Sequence, residues 1–77
     1  LPVRVPLEAR CAALAEPFVL SPREAEILVY LARGFSHTYI AKDLVLSVST
    51  VRTHVRNIYR KLGIGKREEL IHLVVEE

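Results

Sequence analysis

The stretch Ser47-Val-Ser-Thr-Val-Arg-Thr-His-Val-Arg-Asn-Ile-Tyr-Arg-Lys-Leu-Gly63 decides the fold, because it reads as one helix with two incompatible faces. At about 100° of rotation per residue, Val51, Val55, Ile58 and Leu62 fall on one narrow apolar stripe. Their spacings of 4, 3 and 4 are those of the buried side of an amphipathic helix. Arg52, Arg56 and Arg60 stack on another face, beside Ser49 and Thr53. Three guanidiniums at i, i+4 and i+8 repel one another on an exposed helix, so the row is mildly unfavourable until an anion meets it. Guanidinium forks suit guanine edges and phosphates. One face packs and the other reaches for a polyanion.

Working outward, the chain is punctuated by caps. Upstream, Ser21-Pro22-Arg23-Glu24 combines a capping serine, a proline suited to the first helical position and a glutamate that closes a capping box. A helix is predicted from Pro22 to about Arg33, with Ile27, Leu28 and Leu31 inward and Gly34 ending it in the left-handed conformation. Ser36 caps a shorter helix that ends near Asp43 or Leu44 and turns Ile40, Ala41 and Leu44 inward. Val45-Leu46 make a tight apolar turn before Ser47 caps the long helix, which Gly63 stops. A last helix is expected from about Lys66 to Val75, burying Leu70, Ile71 and Val74. No alternating strand pattern, repeat or low-complexity tract occurs. The predicted class is all-α: a four-helix helix-turn-helix domain over residues 21–77, preceded by a helical N-terminal linker over residues 1–20.

That linker carries Pro2, Pro6 and Pro17 and one short helix from about Leu7 to Ala15. Leu7, Cys11, Leu14 and Ala15 can dock on the domain; alternatively, the helix is the tail of a connection to a preceding portion. Both readings stay open at the level of sequence.

Composition narrows the function classes. Seventy-seven residues allow one small domain, near the size at which a single core is only marginally adequate. A hydrophobic content of 51% excludes a disordered chain, and the longest apolar run, Ile27 to Ala32, is far too short to span a bilayer. The chain opens at Leu1 without a basic and then apolar leader pattern, and is expected to be a soluble, cytoplasmic piece of a longer protein. The solitary Cys11 fits a reducing compartment and reads as an inert packed thiol. Net charge is only +2, but six of the eleven basic residues lie between 52 and 67, and no acidic residue occurs from Leu44 to Arg67. A basic stripe along one helix face favours nucleic acid.

Two consecutive helices joined by a short turn, the second bearing a cationic face, are the physical content of a helix-turn-helix. Ala41 suits the close crossing of those helices. The order Leu20-Ser21-Pro22-Arg23-Glu24, then Ile40-Ala41, then Ser47-x-x-Thr50-Val51-Arg52-x-His54-x-x-Asn57-Ile58-x-x-Lys61-Leu62-Gly63, resembles the LuxR-type, or GerE-like, helix-turn-helix domain of bacterial transcription regulators. The match runs from about Leu20 to Val75. The resemblance implies that the third helix of the domain, about residues 48–62, reads double-stranded DNA in the major groove. It implies that the fourth mediates homodimerisation on inverted repeats, and that an N-terminal sensory or receiver domain controls the output. It leaves RNA polymerase open as a further partner. Carried over residue by residue, Arg52, Thr53 and Arg56 become base-reading candidates, while Ser49 and Thr50 become phosphate contacts. Thr50 serves its own helix terminus equally well. The angular argument adds Arg60 as a phosphate contact and puts Lys61 at the edge of the apolar stripe, as a solvated or packing lysine. In the last helix Leu73 and Val75 cannot both join the core, and at least one is expected to be exposed as the dimer contact; the alternative is that Leu73 packs under the Pro-rich N-terminal segment and Val75 frays.

The chain departs from the family pattern in two places. Thr38-Tyr39 stand where a basic residue and a glutamate usually precede Ile-Ala, which removes the reciprocal half of a capping box and a scaffold-helix phosphate contact. Gly65-Lys66 replace the serine common before the last helix and weaken its cap.

Other functions find little in the sequence. His37, His54 and His72 are scattered, Asp43 is the sole aspartate, and no Cys/His cluster has metal-ligand spacing, so no catalytic residue, cofactor or metal is expected. His54 falls beside the apolar stripe, as a packed or hydrogen-bonded histidine. Gly63-Ile64-Gly65-Lys66 lacks the first glycine, the preceding strand and the Ser/Thr of a phosphate loop. Region 4 of a sigma factor shares the Ser-Pro-Arg-Glu start, but His54, Asn57 and Lys61-Leu62-Gly63 favour the LuxR type. A protein-interaction module would need an exposed apolar patch where the long helix shows cations.

Overall fold

In the computed structural model, which describes residues 6–75, five α-helices follow one another: α1 (Leu7–Ala15), α2 (Pro22–Ala32), α3 (His37–Leu44), α4 (Val48–Leu62) and α5 (Arg67–Val75). No strand occurs among the described residues. The fold is all-α, with α3 and α4 joined by residues 45–47.

Three serines set the helix starts. The Ser21 hydroxyl accepts from the Glu24 backbone N–H at 3.2 Å, and a Glu24 carboxylate oxygen takes the Ser21 N–H at 2.9 Å, completing the capping box. The Ser36 hydroxyl accepts from Tyr39 N–H at 3.1 Å, with no side chain returning the bond, as expected where tyrosine replaces glutamate. The Ser47 hydroxyl accepts from Thr50 N–H at 3.0 Å. Gly34 (φ +88°) and Gly63 (φ +72°) end α2 and α4 in the left-handed region, and Phe35 N–H and Ile64 N–H then reach back to Tyr30 and Tyr59 carbonyls. The start of α5 is repaired from inside: the Glu69 carboxylate accepts from Gly65 N–H at 2.6 Å.

The core is one cluster built from every helix. Ile27, Leu28 and Leu31 of α2, Ile40 and Ala41 of α3, Val51, Val55, Ile58 and Leu62 of α4, and Leu70 and Val74 of α5 are buried, while Leu44 and Ile71 pack at its edge. Each buried Val, Ile or Leu contributes about 1.5 to 3 kcal/mol relative to exposure. The four stripe residues of α4 therefore hold that helix on α2 and α3, both of which it contacts.

The short first helix is docked. It packs on α2 and α5, buries Cys11 to 1% exposure in the common core, and sets Leu7 and Leu14 against it. Burial raises the Cys11 pKa above that of an ordinary thiol, so it is a packed, unreactive group. Arg33, at the end of α2, pairs with Glu8, and the Arg10 guanidinium donates to the Val74 carbonyl at 3.3 Å, fastening α1 to both neighbours.

Candidate nucleic-acid interface

Packing of the Val51–Leu62 stripe turns the opposite side of α4 outward. Ser49, Thr50, Arg52, Thr53, Arg56 and Arg60 are all exposed. All but Thr50 lie within about 100° of the helix circumference, and Thr50 joins them at the first turn. Among the described residues, no ion pair engages Arg52, Arg56 or Arg60. Their repulsion is uncompensated within the domain.

The hydroxyl groups differ in what they have left to give. Thr50 Oγ1 accepts from the Ser47 hydroxyl at 2.8 Å, so the threonine serves the helix terminus while its own O–H remains a donor for an outside acceptor such as phosphate. Thr53 Oγ1 donates to the Ser49 carbonyl at 3.1 Å. In that rotamer it offers a base edge only a lone pair and a methyl group.

Lys61 leaves the cationic row altogether. Its ammonium donates to a Glu24 carboxylate oxygen at 2.7 Å and to the Val19 carbonyl at 3.2 Å, tying the end of α4 to the start of α2. Two other cationic or titratable groups join the field instead. Burial lowers the pKa of His37 below the ordinary 6.5, and the positive charges of Arg67 and Arg52 lower it further. A residue of α3 and one of α5 thus share the electrostatic environment of the α4 row. The basic stretch as far as Arg67 is legible in the sequence, whereas the place of His37 in its field is not, since that depends on how α3 crosses α4. His54 is half-buried beside the stripe, its Nδ1 buried without a hydrogen-bond partner among the described residues.

On α5, Leu70 and Val74 close the core and Leu73 is left 43% exposed. Val75, the other candidate contact, ends α5, and its side chain lies outside the described residues. No helix among the described residues is long and apolar enough to cross a membrane, and no group of three His, Cys, Asp or Glu is placed to hold a metal.

An all-α domain with a short turn between its third and fourth helices, the fourth presenting an unpaired cationic face, defines a helix-turn-helix protein. The chain belongs to the family described as "Bacterial regulatory proteins, luxR family", which matches residues 18–74, and the helix-turn-helix domains of this type bind DNA. It is 38% identical over 52 residues to the HTH-type transcriptional regulator MalT of Serratia proteamaculans and, to the same extent, to that of Yersinia pestis, covering 68% of this chain. The matched segment spans only 6% of the length of those relatives. No solved structure matches the chain.

Proposed function

We propose that residues 21–77 are the sequence-specific double-stranded DNA-binding output unit of a longer bacterial transcription regulator, with residues 1–20 leading in from a sensory or receiver portion. The observation that carries this reading is the unpaired, acid-free cationic face of α4, held outward by its own buried stripe directly after the helix-turn-helix turn. In this reading α4 enters the major groove, Arg52, Thr53 and Arg56 meet base edges, and Ser49, Thr50 and Arg60 meet phosphates. Two copies related by a two-fold axis through α5 then occupy an inverted repeat.

Selection of bound duplexes from a random pool tests it, with an inverted repeat as the expected product and a pool without enrichment as the contrary one. On the selected site, each neutralised phosphate contributes roughly −0.9 to the slope of log affinity against log salt. Several contacts give a slope on the order of −3 to −6 per dimer. Arg56→Ala is expected to cost about 1 to 3 kcal/mol on the preferred site and to relax base preference, whereas Arg60→Ala weakens all sequences alike. Unchanged base preference in Arg56→Ala would reassign that residue to the phosphates.

A further inference from the structure

A second feature lies away from α4. Glu26, Tyr30, Arg33, Phe35, Tyr39 and Asp43 are among the residues that line a cleft of about 400 Å³ beside α2 and α3. It shares no residue with the DNA-facing candidates. Phe35 and Tyr39 are stacked, with centroids 4.5 Å apart and planes at 21°, while Tyr30 is tilted to them at 5.9 and 6.4 Å. Tyr39 is left 45% exposed at the position where a capping glutamate would leave no ring.

The chemistry of the cleft is specific. Aromatic faces carry negative quadrupole density that attracts cations. Two exposed carboxylates, Glu26 and Asp43, flank the rings in a chain whose net charge is positive. Tyr30 donates its hydroxyl to Asp43 Oδ2, and that hydrogen bond, with burial and the Asp43 charge, pushes the phenol up to about 12. The phenol therefore stays a donor at neutral pH, and Asp43 Oδ1 remains available to a second donor. Of the chain's own cations, Arg33 lines the cleft and Arg23 lies beside Glu26, and each already has a carboxylate partner. Arg33 pairs with Glu8 of α1, and Arg23 holds Glu26 only through an exposed i,i+3 contact of 3.0 Å, the kind that contributes little. DNA is repelled from such a site, and a flat cation with forked donors fits both the ring face and the carboxylate.

We propose that this cleft docks an arginine side chain presented by a partner protein, stacked on Tyr39 and donating to Asp43 Oδ1. The site is distinct from the α4 face and does not depend on which DNA sequence that face reads.

The test is an NMR titration of the isotope-labelled 77-residue chain with a blocked Gly-Ala-Arg-Ala-Gly peptide, beside the same peptide carrying lysine or citrulline. Saturable shifts centred on Tyr30, Phe35 and Tyr39 are expected with arginine. Binding is expected to be about three- to tenfold weaker with lysine and absent with uncharged citrulline. Asp43→Asn keeps an acceptor for Tyr30, and Tyr39→Ala leaves the backbone bond to Ser36 in place; each is expected to weaken binding about three- to tenfold. Equal binding of the citrulline peptide, shifts centred on another surface, no saturable shift, or unchanged affinity in folded Asp43→Asn would overturn the proposal.

Discussion

One oxygen of Glu24 takes hydrogen bonds from the Ser21 backbone and from the Lys61 ammonium, at a residue only 5% exposed. Burial alone would raise its pKa. The Lys61 hydrogen bond and charge, with the bonds to Ser21, outweigh that and hold the carboxyl below its ordinary 4.5. A carboxyl whose folded pKa is depressed adds stability above the unfolded value, and that stability is lost as pH falls through the folded one. Denaturant midpoints are therefore expected to drop as the pH goes below about 4.5, with part of the slope missing in Glu24→Gln. At neutral pH that substitution is expected to cost about 1 to 2 kcal/mol, through weaker bonds to the Ser21 N–H and to Lys61 once the carboxylate charge is gone. The cap could be read from Ser21-Pro22-Arg23-Glu24, because a capping box is local. The lysine partner, 37 positions along, could not, because it depends on where the end of α4 crosses α2.

At the scale of elements, legibility follows the strength of local signals. The starts of α2, α3 and α4 were readable from serine caps and their ends from Gly34, Gly63 and the apolar turn, since each rests on bonds within a few residues. Helix α1 has Pro6 before it and no side-chain cap, so its extent was readable but its docking on α2 and α5 was not. The turn between α3 and α4 holds a less legible detail. Val45, which is 89% exposed, adopts φ 57° and ψ 51°, so that Leu46 N–H closes onto the Ala41 carbonyl at 2.8 Å. A β-branched residue is strained there by about 1 to 2 kcal/mol, whereas asparagine visits the region readily. Val45→Asn is expected to stabilise the domain by about 1 kcal/mol in urea unfolding, with α4 undisturbed. A loss of stability would mean that the valine has a packing role at that corner.

Three surfaces of the molecule differ in chemistry: an unpaired guanidinium row on α4, an aromatic cleft with two carboxylates and Arg33 beside α2 and α3, and a part-exposed leucine on α5. Leu73→Lys changes an exposed position and should leave the core intact. If α5 pairs two copies, the variant loses cooperative binding to a full inverted repeat while its affinity for a single half-site is kept or slightly raised. Undiminished cooperativity would remove α5 from the dimer. The contact is small, so the isolated domain is expected to dimerise weakly, well below a standard interface of ~1,600 Å². The Arg10 bond to the Val74 carbonyl gives this arrangement a geometric corollary. First and last helices are neighbours, so a displacement of α1 is felt directly by α5. Peeling α1 away would uncover a flank of α5 and unseat Cys11 in one motion, so the core of the domain is held shut by its own leading helix.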